Sequence, residues 1–243
     1  MRSENCVLRV HSLGAFAFRG DGHWQNGPAF KRGRELLQYL VSYPRSTVSR
    51  ETLADAFWPE LDGTSFRHRL HLAVTGARAA LRDALPDVDG LRCISGSYAW
   101  HPDVHVESDV DRFLAAYRTS DRSAMETAID MYDGEYLSGE NAEWIYPLRV
   151  RCSNAYVMML ERLAEMANAE GDHARALEYA LRLVEADRAH EGATRLIMKS
   201  LAATGRRCAA LAEYEALARY LEKRLGIKPS VQTTEVRDEV IRL

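Results

Sequence analysis

The chain has 243 residues, 47% of them hydrophobic and 28% charged, which is material for one large core or two ordinary ones. Its net charge of −3 divides unevenly: residues 1–105 hold 13 Lys/Arg against 11 Asp/Glu, and the remainder 19 against 24. Bulk charge therefore excludes a strongly basic nucleic-acid binder, and only local clustering of cations can indicate one.

In chain order, Val7–His11 and Ala15–Phe18 alternate as half-buried strands do, with Asp21-Gly22 as a turn. A first helix is expected from Lys31 to Ser42, with Leu36, Leu37, Leu40 and Val41 inward and Pro44 stopping it. A second begins behind the N-cap Ser49 and ends before Pro59. A third starts at Thr64 or Ser65 and runs to Ala84. Leu91–Ile94 and Tyr98–Trp100 flank Ser95-Gly96-Ser97 as a β-hairpin. Strands, three helices and a closing hairpin describe a winged helix.

Beyond Val106 the pattern turns helical and a repeat appears. Gly171-Asp172 recurs as Gly205-Arg206, Ala176-Leu177 as Ala210-Leu211, and Leu183 as Leu217, each 34 residues on. That is the tetratricopeptide period, in which paired helices cover their apolar faces only by stacking. The expected fold is thus an α+β winged helix-turn-helix over 1–105 followed by an all-α, tetratricopeptide-like helical-repeat domain over 106–243.

The third helix carries the candidate chemistry. Phe66, Leu70, Val74, Ala77 and Leu81 form one inward stripe at about 100° per residue. Beside it run Arg67, His71, Thr75, Arg78 and Arg82, with His68 just beyond and no carboxylate before Asp83. Such a face suits a major groove, where Arg donates to guanine edges or phosphates and Thr meets a thymine methyl. It suits a solvated helix as well; its position between two helices and a hairpin favours DNA. The hairpin supplies Arg92, Ser97 and Tyr98 as wing contacts, although Tyr98 and Trp100 fit core packing equally. Lys31, Arg32 and Arg34 stand at the first helix's N-terminus, where phosphate can meet free N–H groups. In the second half Trp144, Tyr146, Arg149 and Tyr156 are candidates for a partner-binding groove, with core packing as the alternative.

Catalytic constellations are missing: the sequence has no phosphate-binding glycine loop, no G-x-S-x-G elbow and no H-E-x-x-H. His68 and His71 lack a third ligand in sequence, and Cys93 reads as a buried structural thiol. An enzyme, a metal site and a cofactor are not expected. Cys6, Cys93, Cys152 and Cys208 are scattered as reduced cytosolic thiols are, and Met1–Asn5 lacks the apolar stretch of a secretory signal. With no run near the ~18 apolar residues of a membrane span, the expected location is the cytoplasm.

Several short stretches, in order, resemble a known family: Leu13-Gly14-Ala15-Phe16, Arg34–Leu40, Val48–Pro59, Ser97-Tyr98, Ser108–Phe113, Met131–Leu137 and Leu225–Ser230. They are similar to the Streptomyces antibiotic regulatory proteins, which join an OmpR-type winged helix to a bacterial transcriptional activator domain. The resemblance implies binding to repeats in promoter double-stranded DNA, recruitment of RNA polymerase, and protomers that pair or lie side by side. By position, Arg78 falls where that family keeps a basic residue, and Leu70, Val74 and Leu81 on its core positions. His71 stands in place of an Arg, Gly76 in place of a basic or polar residue, and Arg188 in place of the proline after Asp187. The alternative function is a protein-interaction adaptor whose winged helix no longer binds DNA productively.

Overall fold

Local signals set the limits of the first three helices. The structure, a computed structural model, describes residues 6–61 and 65–243. Helix α1 spans Lys31–Ser42 and stops short of Pro44. Helix α2 spans Arg50–Phe57, and its N-cap Ser49 accepts a hydrogen bond from the Thr52 amide at 3.0 Å. Helix α3 spans Ser65–Ala84; the expected cap Thr64 lies outside the described residues.

Two small sheets frame these helices. Strand β1 (Cys6–His11) lies between β2 (Ala17–Arg19), antiparallel to it, and β6 (Val104–Ser108), parallel to it. Strand β3 (Val48–Ser49) pairs with β5 (Ser97–Trp100), which closes a hairpin with β4 (Leu91–Ile94). The hairpin turn places Ser95 and Gly96 both at positive φ, 49° and 86°, the backbone twist that two-residue hairpins favour. Leu8, Val10 and Phe18 of the first sheet, Leu36, Leu40, Leu53 and Phe57 of the first two helices, and Leu70, Val74 and Leu81 of α3 are all buried. Trp100 is buried too, and its Nε1 donates to the Leu40 carbonyl at 3.2 Å.

The chain packs into two compact units, one of Met1–Ala115 with Met131–Cys152 and the other of Ala116–Asp130 with Ser153–Leu243. Hydrogen bonds explain why 131–152 joins the first unit. The amides of Asp133, Leu137 and Ser138 donate to the carbonyls of Leu13, Ser12 and Gly14 at 3.1, 2.8 and 2.8 Å. Arg149 then holds the loop from behind, donating to the carbonyls of Tyr136, Leu137 and Glu140 at 2.9, 2.8 and 2.7 Å.

Helix α4 spans Asp109–Thr119, α5 Arg122–Met131 and α6 Tyr146–Ala169. The repeat read from the sequence becomes two helix pairs: α7 (His173–Ala186) with α8 (Glu191–Ala203), and α9 (Arg207–Leu225) with α10 (Val231–Arg242). Ala176 and Leu183 of α7 and Ala210 and Leu217 of α9 are buried at matching repeat positions, as stacked repeats require. Among the described residues no helix is long and apolar enough to cross a membrane.

Candidate nucleic-acid interface

The helix that presents the cationic face is fixed from its other side. Phe66, Leu70, Ala73, Val74, Ala77 and Leu81 are buried along α3. Gly33 lets α1 approach it closely, since a Cβ there would stand 3.3 Å from both the Ala73 carbonyl oxygen and the Ala77 amide nitrogen. With that side held, Arg67, His68, His71, Thr75 and Arg82 all face outward and are exposed. Arg69, which the stripe read from sequence left out, is exposed as well. Among the described residues no ion pair or side-chain hydrogen bond engages Arg67, His68, Arg69, His71 or Arg82, so their donors face solvent. Thr75 is the exception on this face, donating from Oγ1 to the His71 carbonyl at 2.9 Å.

Arg78 has another position. Its Nη2 donates to the Leu91 carbonyl at 2.9 Å, and its Nε lies 3.8 Å from Asp89. It ties α3 to the first strand of the hairpin. The basic face also has a definite end, because Asp83, Asp87 and Asp89 stand exposed where α3 finishes.

In the wing, Arg92 is exposed and Ser97 half-buried beside the turn, whereas Tyr98 is 8% exposed and belongs to the core. Cys93, expected inside, faces outward, because the β4 positions from Arg92 to Ile94 all lie beyond the cover of the helices. Arg50, at the first position of α2, extends over the turn. Its guanidinium carbon lies 3.5 Å from where a Cβ on Gly96 would stand, and its Nη2 is 4.0 Å from the Cys93 sulfur. The sequence signal was available, since the Ser49 cap put Arg50 at an exposed helix start; its reach to the wing depends on β3 pairing with β5.

At the start of α1 the cations are partly engaged. Glu35 is buried, and Arg32 pairs with it while also lying 5.7 Å over the Trp58 ring. Lys31 stands 3.8 Å from the same carboxylate with its side chain 70% exposed. Lys31 therefore keeps most of its freedom, whereas Arg32 is a packing residue first.

The four residues of the partner-groove reading have different immediate surroundings. Trp144 sets its ring edge-on to Tyr39 and Phe57, with centroids 5.1 and 6.3 Å away. Arg149 is the loop clamp already described. Tyr156 belongs to the second unit, where Arg182 donates to its hydroxyl at 3.2 Å and to the Ile129 carbonyl at 2.7 Å. Tyr146 alone of the four is widely exposed, at 67%. Among the described residues no group of three or more His, Cys, Asp or Glu could hold a metal.

Residues 105–241 match the family model of the bacterial transcriptional activator domain. The chain belongs to that family. The family is one of transcription regulators, and the resemblance to the Streptomyces antibiotic regulatory proteins extends to named relatives. The chain is 28% identical over 234 residues to the regulatory protein AfsR of Streptomyces coelicolor, covering 90% of this chain and 23% of that protein. To AfsR of Streptomyces griseus it is 25% identical over 248 residues, covering 97% and 25%. The chain thus spans about a quarter of the length of these curated relatives. The solved structure of Mycobacterium tuberculosis EmbR in complex with low affinity phosphopeptide superposes with a TM-score of 0.74 at 19% identity, over 97% of this chain and 65% of that one. At that identity the likeness concerns the fold: a winged helix followed by tetratricopeptide-like helices.

Proposed function

We propose that this family member is a DNA-binding activator of transcription that docks α3 in the major groove of promoter repeats. Arg67, His68, His71, Thr75 and Arg82, joined by Arg69, face the groove, with Arg67 and Arg82 reaching the phosphates along its edges; Arg92 and Ser97 of the wing, with Arg50 and Lys31, meet the phosphate backbone beyond it. Arg78 and Arg32 serve indirectly by holding the wing and α1 in place. The helical unit engages RNA polymerase or a neighbouring protomer; Tyr146, within the 131–152 segment that packs with the first unit, adds an exposed aromatic for such a contact.

The observation that carries this reading is the outward face of α3, where cations lie in a row with their donors unengaged and a wing stands next to them. Phosphate contacts by such cations release counterions, so binding should weaken steeply as salt rises. The direct experiment is an electrophoretic shift of duplex from upstream of the protein's own gene. A shift at about 50 mM salt that fades towards about 200 mM is expected. No shift at low salt, together with a stable protein complex in a pull-down, would instead identify an adaptor.

A further inference from the structure

Leu72 lies in the middle of the cationic face and is 45% exposed. It follows His68 by four residues and precedes Thr75 and Gly76 by three and four, so these four positions adjoin on one side of α3. Gly76 adds no side chain there, and the Phe30 ring, itself 49% exposed, lies 3.8 Å from where its Cβ would stand. Leu72, beside Gly76 and the exposed Phe30 ring that adjoins it, is thus an apolar spot on a face that also carries His68, Arg69 and His71.

We propose that Leu72 is a specificity-determining residue that reads thymine C5-methyl groups in the major groove. The inference rests on the DNA-binding reading above and gives its sequence preference a chemical basis. Cations around the spot complement phosphates on both sides of a groove, which selects DNA over an apolar protein surface as the occupant. Within the groove the one apolar feature a base pair offers is the thymine methyl. Guanine reading by a bidentate arginine is not served from Gly76, which has no side chain, and the guanidinium of Arg78 is held at the wing. The expected operator therefore contains A·T pairs opposite Leu72.

The test uses the intact chain and duplexes that it selects from a random pool, each then synthesised with thymine or with uracil, which differs only by the C5 methyl. Wild-type protein should bind the thymine duplex about fourfold more tightly for each methyl covered. The Leu72→Ala variant should bind both duplexes alike, and Leu72→Met should keep part of the preference. Thymine and uracil duplexes bound equally by the wild type would overturn the proposal while leaving DNA binding intact, as would an undiminished preference in Leu72→Ala. Retention of no duplex from the pool would overturn the DNA-binding reading itself, and this inference with it.

Discussion

Arg78 donates a hydrogen bond from Nη2 to the Leu91 carbonyl at 2.9 Å, linking the helix proposed to enter the groove with the strand that begins the wing. A charged donor on a part-buried carbonyl contributes on the order of 1.5 kcal/mol or more. Arg78→Ala should therefore lower the urea midpoint measurably as well as weaken DNA binding. Arg67→Ala, whose side chain is exposed, should weaken binding with stability within about 0.5 kcal/mol of the parent. Equal stability of the two variants would show that Arg78 does not hold the wing.

Gly20 sits where β2 ends against the end of α3, and a Cβ there would stand 1.8 Å from the Ala84 carbonyl oxygen. Backbone is the obstacle, so no rotamer change can relieve it. Gly20→Ala should cost about 2 kcal/mol or more, as overpacking does. Gly22, with nothing within 4 Å of its Cβ position, provides the control, and Gly22→Ala should be near neutral. Chemical denaturation of both variants checks the pair.

The buried Asp109 carboxylate gathers three backbone amides and a histidine. Its Oδ2 accepts from Ser12 and Leu13 at 2.7 and 2.9 Å and lies 2.9 Å from His11 Nδ1, while Oδ1 accepts from Val110 at 2.8 Å. The hydrogen bond to Asp109 raises the His11 pKa above its usual 6.5 against the opposing effect of burial. Since the folded value is the higher one, this contribution is complete below pH 6.5 and is lost as pH rises through the raised value. Unfolding midpoints followed through that range should fall for the parent relative to His11→Gln. Asp109→Ala should cost on the order of 3 kcal/mol near neutral pH, because it leaves several buried donors unpaired.

In the helical unit, Glu191 at the start of α8 accepts from the Ser230 amide, the Ser230 hydroxyl and the Thr233 hydroxyl at 2.8, 2.6 and 2.6 Å. This joins α8 to the N-terminus of α10. Burial raises the Glu191 pKa, but the hydrogen bonds from Ser230 and Thr233 outweigh it and the net shift is downward. Glu191 thus stabilises above the ordinary carboxylate range and loses that effect as pH falls through its lowered value. Glu191→Ala should cost about 2 kcal/mol near neutral pH, with hydrogen exchange accelerating first in α10. Exchange unchanged in α10 would deny the link.

The helix limits were legible because proline, an N-cap serine and 3.6-residue periodicity all act within a few residues. Pro44, Ser49 and the stripe from Phe66 to Leu81 placed α1, α2 and α3 correctly. The 34-residue offset likewise found the helix pairs. What the sequence hid was pairing over distance. Strand β6 lies parallel to β1 almost a hundred residues away, and periodicity cannot name a partner. The quoted stretches around Leu13, Asp109 and Tyr136 looked like separate family motifs; in the fold they meet, with Asp109 bonded to the Leu13 amide and the Asp133 amide to the Leu13 carbonyl.

At the site, periodicity showed which side of α3 turns outward but not what each side chain reaches. Arg78 and Arg32 read as free cations until Leu91 and Glu35 came beside them. Tyr98 pointed inward because strand alternation from Trp100 places both on the core face. Leu72 was overlooked for the opposite reason: attention to charge passes over an apolar residue on a polar face, and only its exposure shows that no core claims it.

The most direct measurement is the salt dependence of duplex binding by the parent and by the Arg67→Ala, Arg82→Ala double variant, followed by fluorescence anisotropy. If both side chains contact phosphates, the slope of log Kobs against log salt should become shallower by about 2, with the melting midpoint unchanged. A double variant that binds as tightly as the parent, with the same slope, would contradict the account.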